Sequence, residues 1–373
     1  MKIVSWNCRG LGGSQKLEVI KRFKSMEAAS ILLLQETKKP AEDSVTAIKS
    51  IWPNGNSIAT NAIGASGGLL CWWNTDKFEL LSAIENRNWL LIKLENKESK
   101  DQFWVGNVYG PILNAQKDSF WSSLEEQCLD KKLLPCFIGG DFNTTISAAE
   151  RRGGSKVRDP FGERLEDLIS QWNLTDIIPK NGTYTWSNKR VGPGHIAARL
   201  DRFLVSTHLI NSIPDVKLLC STVSDHKPIC LFFPPEENQG PLPFRFNRLW
   251  LESDEVKEII AKSWRCFVPS TPAFSWEQKL KRVKVALKAW VSTQYQEPAK
   301  QKEHILAEME RLQAEMEEGM VTKVHLIKEI ELEIKLQKIL RQIEEECRLR
   351  SRALWLKGGD QNTKFFQNQW RDR

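Results

Sequence analysis

Eight short apolar runs, set apart by Gly, Pro and Asn, occupy the first 235 residues and restrict what this chain can fold into. They are Ile3 to Asn7, Ile31 to Gln35, Gly68 to Trp73, Trp89 to Leu94, Phe103 to Tyr109, Cys136 to Asp141, Leu200 to Val205 and Ile229 to Phe233. Each is short and bounded by turn residues, so each predicts a strand. Ser14 to Ala29, Ala41 to Trp52, Lys117 to Asp130 and Pro160 to Trp172 repeat apolar residues at three- and four-residue spacing and predict helices. Many strands with few helices predict an α/β fold in which two packed β-sheets are flanked by helices.

The pattern changes after residue 235. Pro234 to Pro241 holds three prolines and a glycine and reads as a linker, opening a stretch of linker and short helices over 236–296. Ile305, Met309, Leu312 and Met316, then Ile327, Ile330, Ile334, Leu340, Ile343 and Cys347, predict a mainly α-helical extension over 297–352. Gly319 interrupts it, so a helical hairpin and one long coiled coil are both open; either serves as a solvated spacer or as a surface for self-association. Residues 353–373 form a basic, aromatic tail that suits nucleic-acid backbone contact or a domain edge.

Composition narrows the partners. The 373 residues suffice for two or three domains with buried cores. The eight cysteines form no C-x-x-C pair, which predicts free thiols in a reducing compartment and disfavours structural zinc. No apolar run approaches the roughly 20 residues of a membrane helix, and the start lacks a secretory pattern, predicting an intracellular protein without a membrane partner. A net charge of +7 permits a polyanionic partner without requiring one.

Polar residues at strand ends carry the chemistry, because an α/β scaffold presents its site there. Asn7 closes the first run and Glu36 follows the second, although a lone Glu there is ordinarily only the polar end of a strand. In Phe137 to Asn143 two glycines predict a tight turn that sends Asp141 and Asn143 to one side; a plain Asx turn has the same sequence. Asp201 and Arg202 interrupt an apolar run, and buried charges need partners. Asp225 and His226 precede the last run, and Tyr109 ends the fifth. Carboxylates, an imidazole, two carboxamides and a phenol without a Cys/His cluster favour Mg²⁺, with Mn²⁺ as a substitute. Such a set suits the attack of water on a phosphodiester.

The ordered series Ser5-Trp6-Asn7-Cys8-Arg9-Gly10, Leu34-Gln35-Glu36-Thr37, Asn107 to Pro111, Gly140-Asp141-Phe142-Asn143, Leu200-Asp201-Arg202 and Ser224-Asp225-His226 resembles the endonuclease/exonuclease/phosphatase superfamily. Within it, Cys8 to Gly12, Tyr184 to Asn188 and the tail from Trp355 to Phe366 are most similar to plant LINE-type, non-LTR retrotransposon proteins. The resemblance covers residues 1 to about 235 and implies a four-layer, deoxyribonuclease-like sandwich. It also implies roles. Glu36 is then the main metal ligand, helped by Asn7 and supported by Asp225; Asp141 orients or deprotonates water; Asn143 and Tyr109 hold phosphate oxygens; and His226, fixed by Asp201, contacts the scissile phosphate. The implied product is a DNA nick with 3′-hydroxyl and 5′-phosphate ends.

By the same analogy the loop Ser187 to Ile196 enters a minor groove, with Lys189, Arg190 and His195 as contacts and Arg151 and Arg152 as phosphate contacts. DNA is the expected partner, retroelement RNA a second candidate, and the nucleus the expected location. No polymerase motif follows, so the expectation is an element lacking its reverse transcriptase. Two alternatives stand beside this: an apurinic-site nuclease or small-molecule phosphatase, and a non-catalytic nucleic-acid-binding remnant.

Overall fold

The computed structural model describes residues 1–25, 27–64, 66–131, 136–154, 158–207, 214–233, 251, 253–265, 271–294 and 296–351. The linker expected at Pro234 to Pro241 and the tail 353–373 lie outside the described residues. The chain divides into two compact units, one of Met1–Pro235 with Met309–Glu333, the other of Glu236–Glu308 with Ile334–Arg373.

Twelve strands of the first unit build two six-stranded sheets. They are β1 (Lys2–Asn7), β2 (Ile31–Gln35), β3 (Gly55–Ala59), β4 (Leu69–Asn74), β5 (Phe78–Glu85), β6 (Trp89–Asn96), β7 (Gln102–Tyr109), β8 (Cys136–Asp141), β9 (Leu174–Asp176), β10 (Asp201–Ser206), β11 (Asp215–Leu218) and β12 (Ile229–Phe232). One sheet runs β11-β12-β1-β2-β4-β3, the other β9-β10-β8-β7-β6-β5. Each has one parallel pair at its centre, β1 with β2 and β7 with β8, and antiparallel neighbours outside it. All eight expected strands occur, with bounds within two residues.

Side chains alternate across these strands, so each sheet has two apolar faces. The inner faces meet in a core that includes Ile3, Leu33, Cys71, Ile92, Val105 and Phe203. On the outer face of the first sheet, Val4, Trp6, Leu32 and Leu34 pack with residues of α1 (Ser14–Ser25) and α2 (Ala41–Ile51). Leu91, Val108, Ile138 and Leu204 of the second sheet pack with α3 (Asn114–Lys131) and α4 (Gly162–Gln171). The result is four layers, as the resemblance implies. Helix α1 stops short of Ala29 because Ala28 takes a left-handed φ of 50°.

One local expectation is corrected. Gly139 and Gly140 form no turn; they lie inside β8, which runs on to Asp141. Glycine is needed there for close approach, since a Cβ on Gly140 would stand 2.0 Å from the Val108 carbonyl oxygen and one on Gly139 would stand 2.5 Å from the Phe203 ring.

In the second unit α5 (Asp254–Arg265) and α6 (Pro272–Gln294) pack through Val256, Ile260, Val283 and Leu287. The extension contains α7 (Gln296–Glu318) and α8 (Lys323–Ser351), separated at Gly319 as the sequence suggests. Met309–Glu333, the end of α7 through the start of α8, groups with the first unit. No described helix is long and apolar enough to cross a membrane.

Candidate active site

Strand direction gathers the polar residues. Asn7, Tyr109 and Asp141 are the last residues of β1, β7 and β8, and Glu36 follows β2. Because β10 runs antiparallel to β8, its first residue, Asp201, pairs with Asp141. Because β12 runs antiparallel to β1, the segment before it returns Asp225 and His226 to the same end. Glu36 and Asn143 both take left-handed backbone angles, φ 50° and 48°, which is strain concentrated at a site.

Hydrogen bonds, with one ion-pair contact between His226 and Asp141, join these groups across the two sheets. His226 Nδ1 lies 2.9 Å from Asp201 Oδ2, and its Nε2 lies 3.7 Å from Asp141 Oδ2. Asn7 Nδ2 donates to Asp141 Oδ2 at 2.8 Å and to Glu36 Oε1 at 3.1 Å, and the Tyr109 hydroxyl donates to the same Glu36 oxygen at 2.9 Å. Asn143 Nδ2 donates to the Gly110 carbonyl at 2.8 Å, and its backbone N–H donates to Asp141 Oδ1. Asp225 Oδ2 accepts from Arg9 and from the Trp186 indole, each at 3.0 Å.

Burial and charge set the protonation states. Burial raises the Asp141 carboxyl well above its ordinary range, and the Asp201 charge adds to the rise. Burial opposes the His226 imidazolium, but Asp201, Asp141 and Asp225 outweigh it and raise the ring. Burial also opposes the Glu36 carboxylate, yet donors from Lys38, Asn7 and Tyr109 keep its pKa low. Burial, with the charges of Glu36 and Asp141, pushes the Tyr109 phenol up, so it stays a donor.

The donor set suits a hard divalent cation. Asp141, Asp201 and His226 place ligand atoms within 4.8 Å of one another. Glu36 and Asp225 stand outside that trio, each facing a cation: Lys38 Nζ is 3.0 Å from Glu36, and Arg9 is 3.0 Å from Asp225. Asp225 Oδ1 is buried without a partner among the described residues, an acceptor that a metal would satisfy.

Several supporting residues escape a strand-end reading. Asn107 Nδ2, in β7, donates to the Leu34 and Leu70 carbonyls of the other sheet at 3.0 Å, and its Oδ1 accepts from Gln35 at 2.6 Å. This polar rung ties the sheets together beneath Glu36 and Tyr109. Thr185 Oγ1 accepts the N–H groups of Leu200 and Asp201 at 3.0 Å, so Thr185 and Trp186 anchor two site carboxylates. Lys117 Nζ donates to the Asn143 carbonyl at 2.6 Å and holds that loop. Arg202, which the sequence left in need of a partner, joins Arg199, Glu150 and Asp176 in a buried quartet behind β10. A charged pair inside an apolar run was the available signal for that quartet; Asn107 and Lys117 gave none.

The residues nominated for DNA contact are also brought together. Trp186–Ser187 and Ala197–Ala198 pair as a hairpin around the loop, and Arg151–Arg152 adds a third strand. Arg151 and Arg190 are exposed. His195 bonds Ser187 at 3.0 Å; burial, then Arg152, Lys189 and Lys227, hold its pKa below 6.5, so it is a neutral contact at neutral pH.

The chain belongs to the Endonuclease/Exonuclease/phosphatase family, whose profile matches residues 4–226. It is therefore a member of a group of nucleases and phosphatases, hydrolases of phosphate esters. It is 26% identical over 278 residues to the Transposon TX1 uncharacterized 149 kDa protein of Xenopus laevis, a match that takes in 71% of this chain and spans 20% of that relative's length. Among solved structures, AP endonuclease LMAP from Leishmania major shares the fold at TM-score 0.50 and 19% identity, covering 63% of this chain and 88% of that one. The endonuclease domain of TRAS1, a telomere-specific non-LTR retrotransposon, aligns at TM-score 0.48 and 15% identity over 63% of this chain and 99% of that one.

Proposed function

We propose that the first unit is a divalent-metal-dependent endonuclease of retroelement origin that nicks duplex DNA, leaving 3′-hydroxyl and 5′-phosphate ends. The observation that carries this reading is the continuous chain from Asp201 through His226, Asp141 and Asn7 to Glu36 and Tyr109, supplied by both sheets at one edge. The similarity to a transposon protein supports the retroelement origin. In a retroelement the released hydroxyl would prime reverse transcription, with element RNA as a further partner and the nucleus as the place of action.

Asp141 is the general base: with its pKa raised, it accepts a proton from the attacking water near neutral pH. His226, oriented through Nδ1 by Asp201, presents Nε2 to the phosphate as a charged donor. Asn143, and Tyr109 once its hydroxyl turns from Glu36, donate to the phosphate's other oxygens. Glu36, Asn7 and Asp225 would hold Mg²⁺, or Mn²⁺ in its place, which supplies neutralising charge to the phosphate. Arg151, Arg152, Lys189 and Arg190 meet the flanking backbone. Self-association of the extension is supported by Val324, Ile327, Ile330 and Ile334, all at least 49% exposed on α8.

The test is supercoiled plasmid in Mg²⁺ with the parent, Glu36→Ala and His226→Ala. Nicking by the parent, lost in both variants and in EDTA, is the expected result. Retardation of plasmid that stays supercoiled would transfer the reading to a binding remnant. Much faster cleavage of a duplex with one abasic site would transfer it to repair.

A further inference from the structure

The segment Met309–Glu333 lies against the surface that the proposed function assigns to DNA, and its chemistry imitates a phosphate backbone. Arg152 points its guanidinium at the last carbonyls of α7, donating to Met316 at 2.9 Å, Glu318 at 3.3 Å and Gly319 at 2.6 Å, and to Glu317. These carbonyls have no intrahelical donors and form the negative pole of the helix. Lys189 Nζ lies 3.7 Å from Glu329. At the tip of the 187–196 loop, Gly192 N–H donates to the Val321 carbonyl at 2.8 Å. Glu317 accepts the Thr183 N–H at 3.0 Å, and Gln313 donates to the Asn181 carbonyl at 3.0 Å.

The far end of the segment is anchored elsewhere, by Glu333 and Arg22 of α1, paired at 2.5 Å with side chains 4% and 6% exposed. Across its 25 positions the segment holds seven Glu against three Lys and Arg, so it is acidic where the loop is basic. Between the two lies a cleft of about 450 Å³ whose walls include Arg9, Lys189, Ser224, Asp225, Leu326 and Glu329. That volume matches a small-molecule pocket, not a duplex.

We propose that Met309–Glu333 is an intramolecular cover over the DNA-reading face, which a duplex must displace before the 187–196 loop can enter a groove. The proposal rests on the nuclease reading. Arg152 and Lys189 cannot contact phosphates while they hold the cover. The loop tip cannot leave Val321 without breaking its main-chain bond. The cover therefore competes with DNA for the same donors, and releasing it frees two phosphate contacts.

The experiment uses the full chain in EDTA with a 30-base-pair duplex. Glu317→Gln with Glu329→Gln loosens the cover, and Glu315→Gln with Glu331→Gln, both exposed on the same helices, gives the same change in net charge. The loosened variant is expected to bind at least fivefold tighter than the matched control. Its log K against log salt should steepen by one to two, the slope of about 0.9 per phosphate contact for two freed cations. Independently, carbodiimide should join Lys189 to Glu329 in the free protein, as read by mass spectrometry, and saturating duplex should abolish that product. Equal affinities in the two double variants, or a crosslink that survives saturating duplex, would overturn the cover. Failure of the parent and the loosened variant alike to bind duplex would sink the nuclease reading itself, and the cover with it.

Discussion

Replacing Asp201 by Asn keeps the shape of the pair with His226 and removes its charge. The imidazole is 3% exposed, and its pKa is raised from 6.5 to about 9. That rise corresponds to about 3 kcal/mol of preference for the imidazolium. Of the three carboxylates that raise it, Asp201 stands at 2.9 Å and Asp141 at 3.7 Å, with Asp225 adding less. At an effective dielectric near 20 these distances give roughly 6 and 4 kcal/mol of attraction before burial is subtracted. Asp201, which also makes the hydrogen bond, should hold the larger share. Asp201→Asn should therefore bring the His226 midpoint to about 7 or lower, and Asp141→Asn should lower it by less. The assay is a pH titration of the histidine Cε1–H signals by NMR in EDTA. Only five histidines are present, and loss of one signal in His226→Gln makes the assignment. A midpoint still near 9 in Asp201→Asn, or a larger fall in Asp141→Asn, would refute the assignment of the proton to the His226–Asp201 pair. If the proposed reaction holds, the same change should slow nicking by roughly 10³ to 10⁴, the scale of a mis-set tautomer.

The remaining predictions concern stability. Asn107→Leu removes the rung between the sheets and strands the Gln35 amide, so urea denaturation should show a loss of roughly 2 to 4 kcal/mol; a loss below about 1 kcal/mol would mean the rung does not couple the sheets. Arg202→Met leaves Glu150 and Asp176 to share Arg199, at an expected cost of about 3 to 5 kcal/mol, and an unchanged midpoint would count against the quartet. The raised pKa values of His226 and Asp141 both favour the protonated forms in the folded state. Their stabilisation is therefore full below the unfolded values and is lost as pH rises through the folded ones. In EDTA, stability should fall by roughly 3 kcal/mol as pH passes from 6.5 through about 9, and a flat profile there would contradict it.

The strands of the two large sheets that sequence reasoning missed share one property. Gly55–Ala59, Phe78–Glu85, Leu174–Asp176 and Asp215–Leu218 are the four edges of the two large sheets. An edge strand has a neighbour on one side only and is often half-solvated, so it leaves no continuous apolar run to find. Interior strands such as Ile31–Gln35 were legible because both of their faces are buried. The acids and the imidazole were legible for a related reason: charge at the end of an apolar run is unusual in composition. Arg9 and Lys38 were not, because surface-type residues flanking Asn7 and Glu36 look like solvated polar ends until their carboxylate partners are placed. The closeness of Met309–Glu333 to the loop at 187–196 had no local signature at all, since contacts across more than a hundred residues leave no periodicity behind.

The pairing of β1 with β12 has a consequence for the order in which this protein acquires its chemistry. Translation delivers Asn7 first among the site residues and His226 last, and at about 5 to 20 residues per second the interval is on the order of 10 to 40 seconds. Throughout that interval β1 has a vacant flank, and the pocket of acids has no imidazole. The strand that fills the flank carries in the missing ring, so completing the sheet and arming the site are one event. A nascent or half-folded chain therefore lacks the imidazole, and any phosphate-ester hydrolysis that depends on His226 waits for the sheet to close.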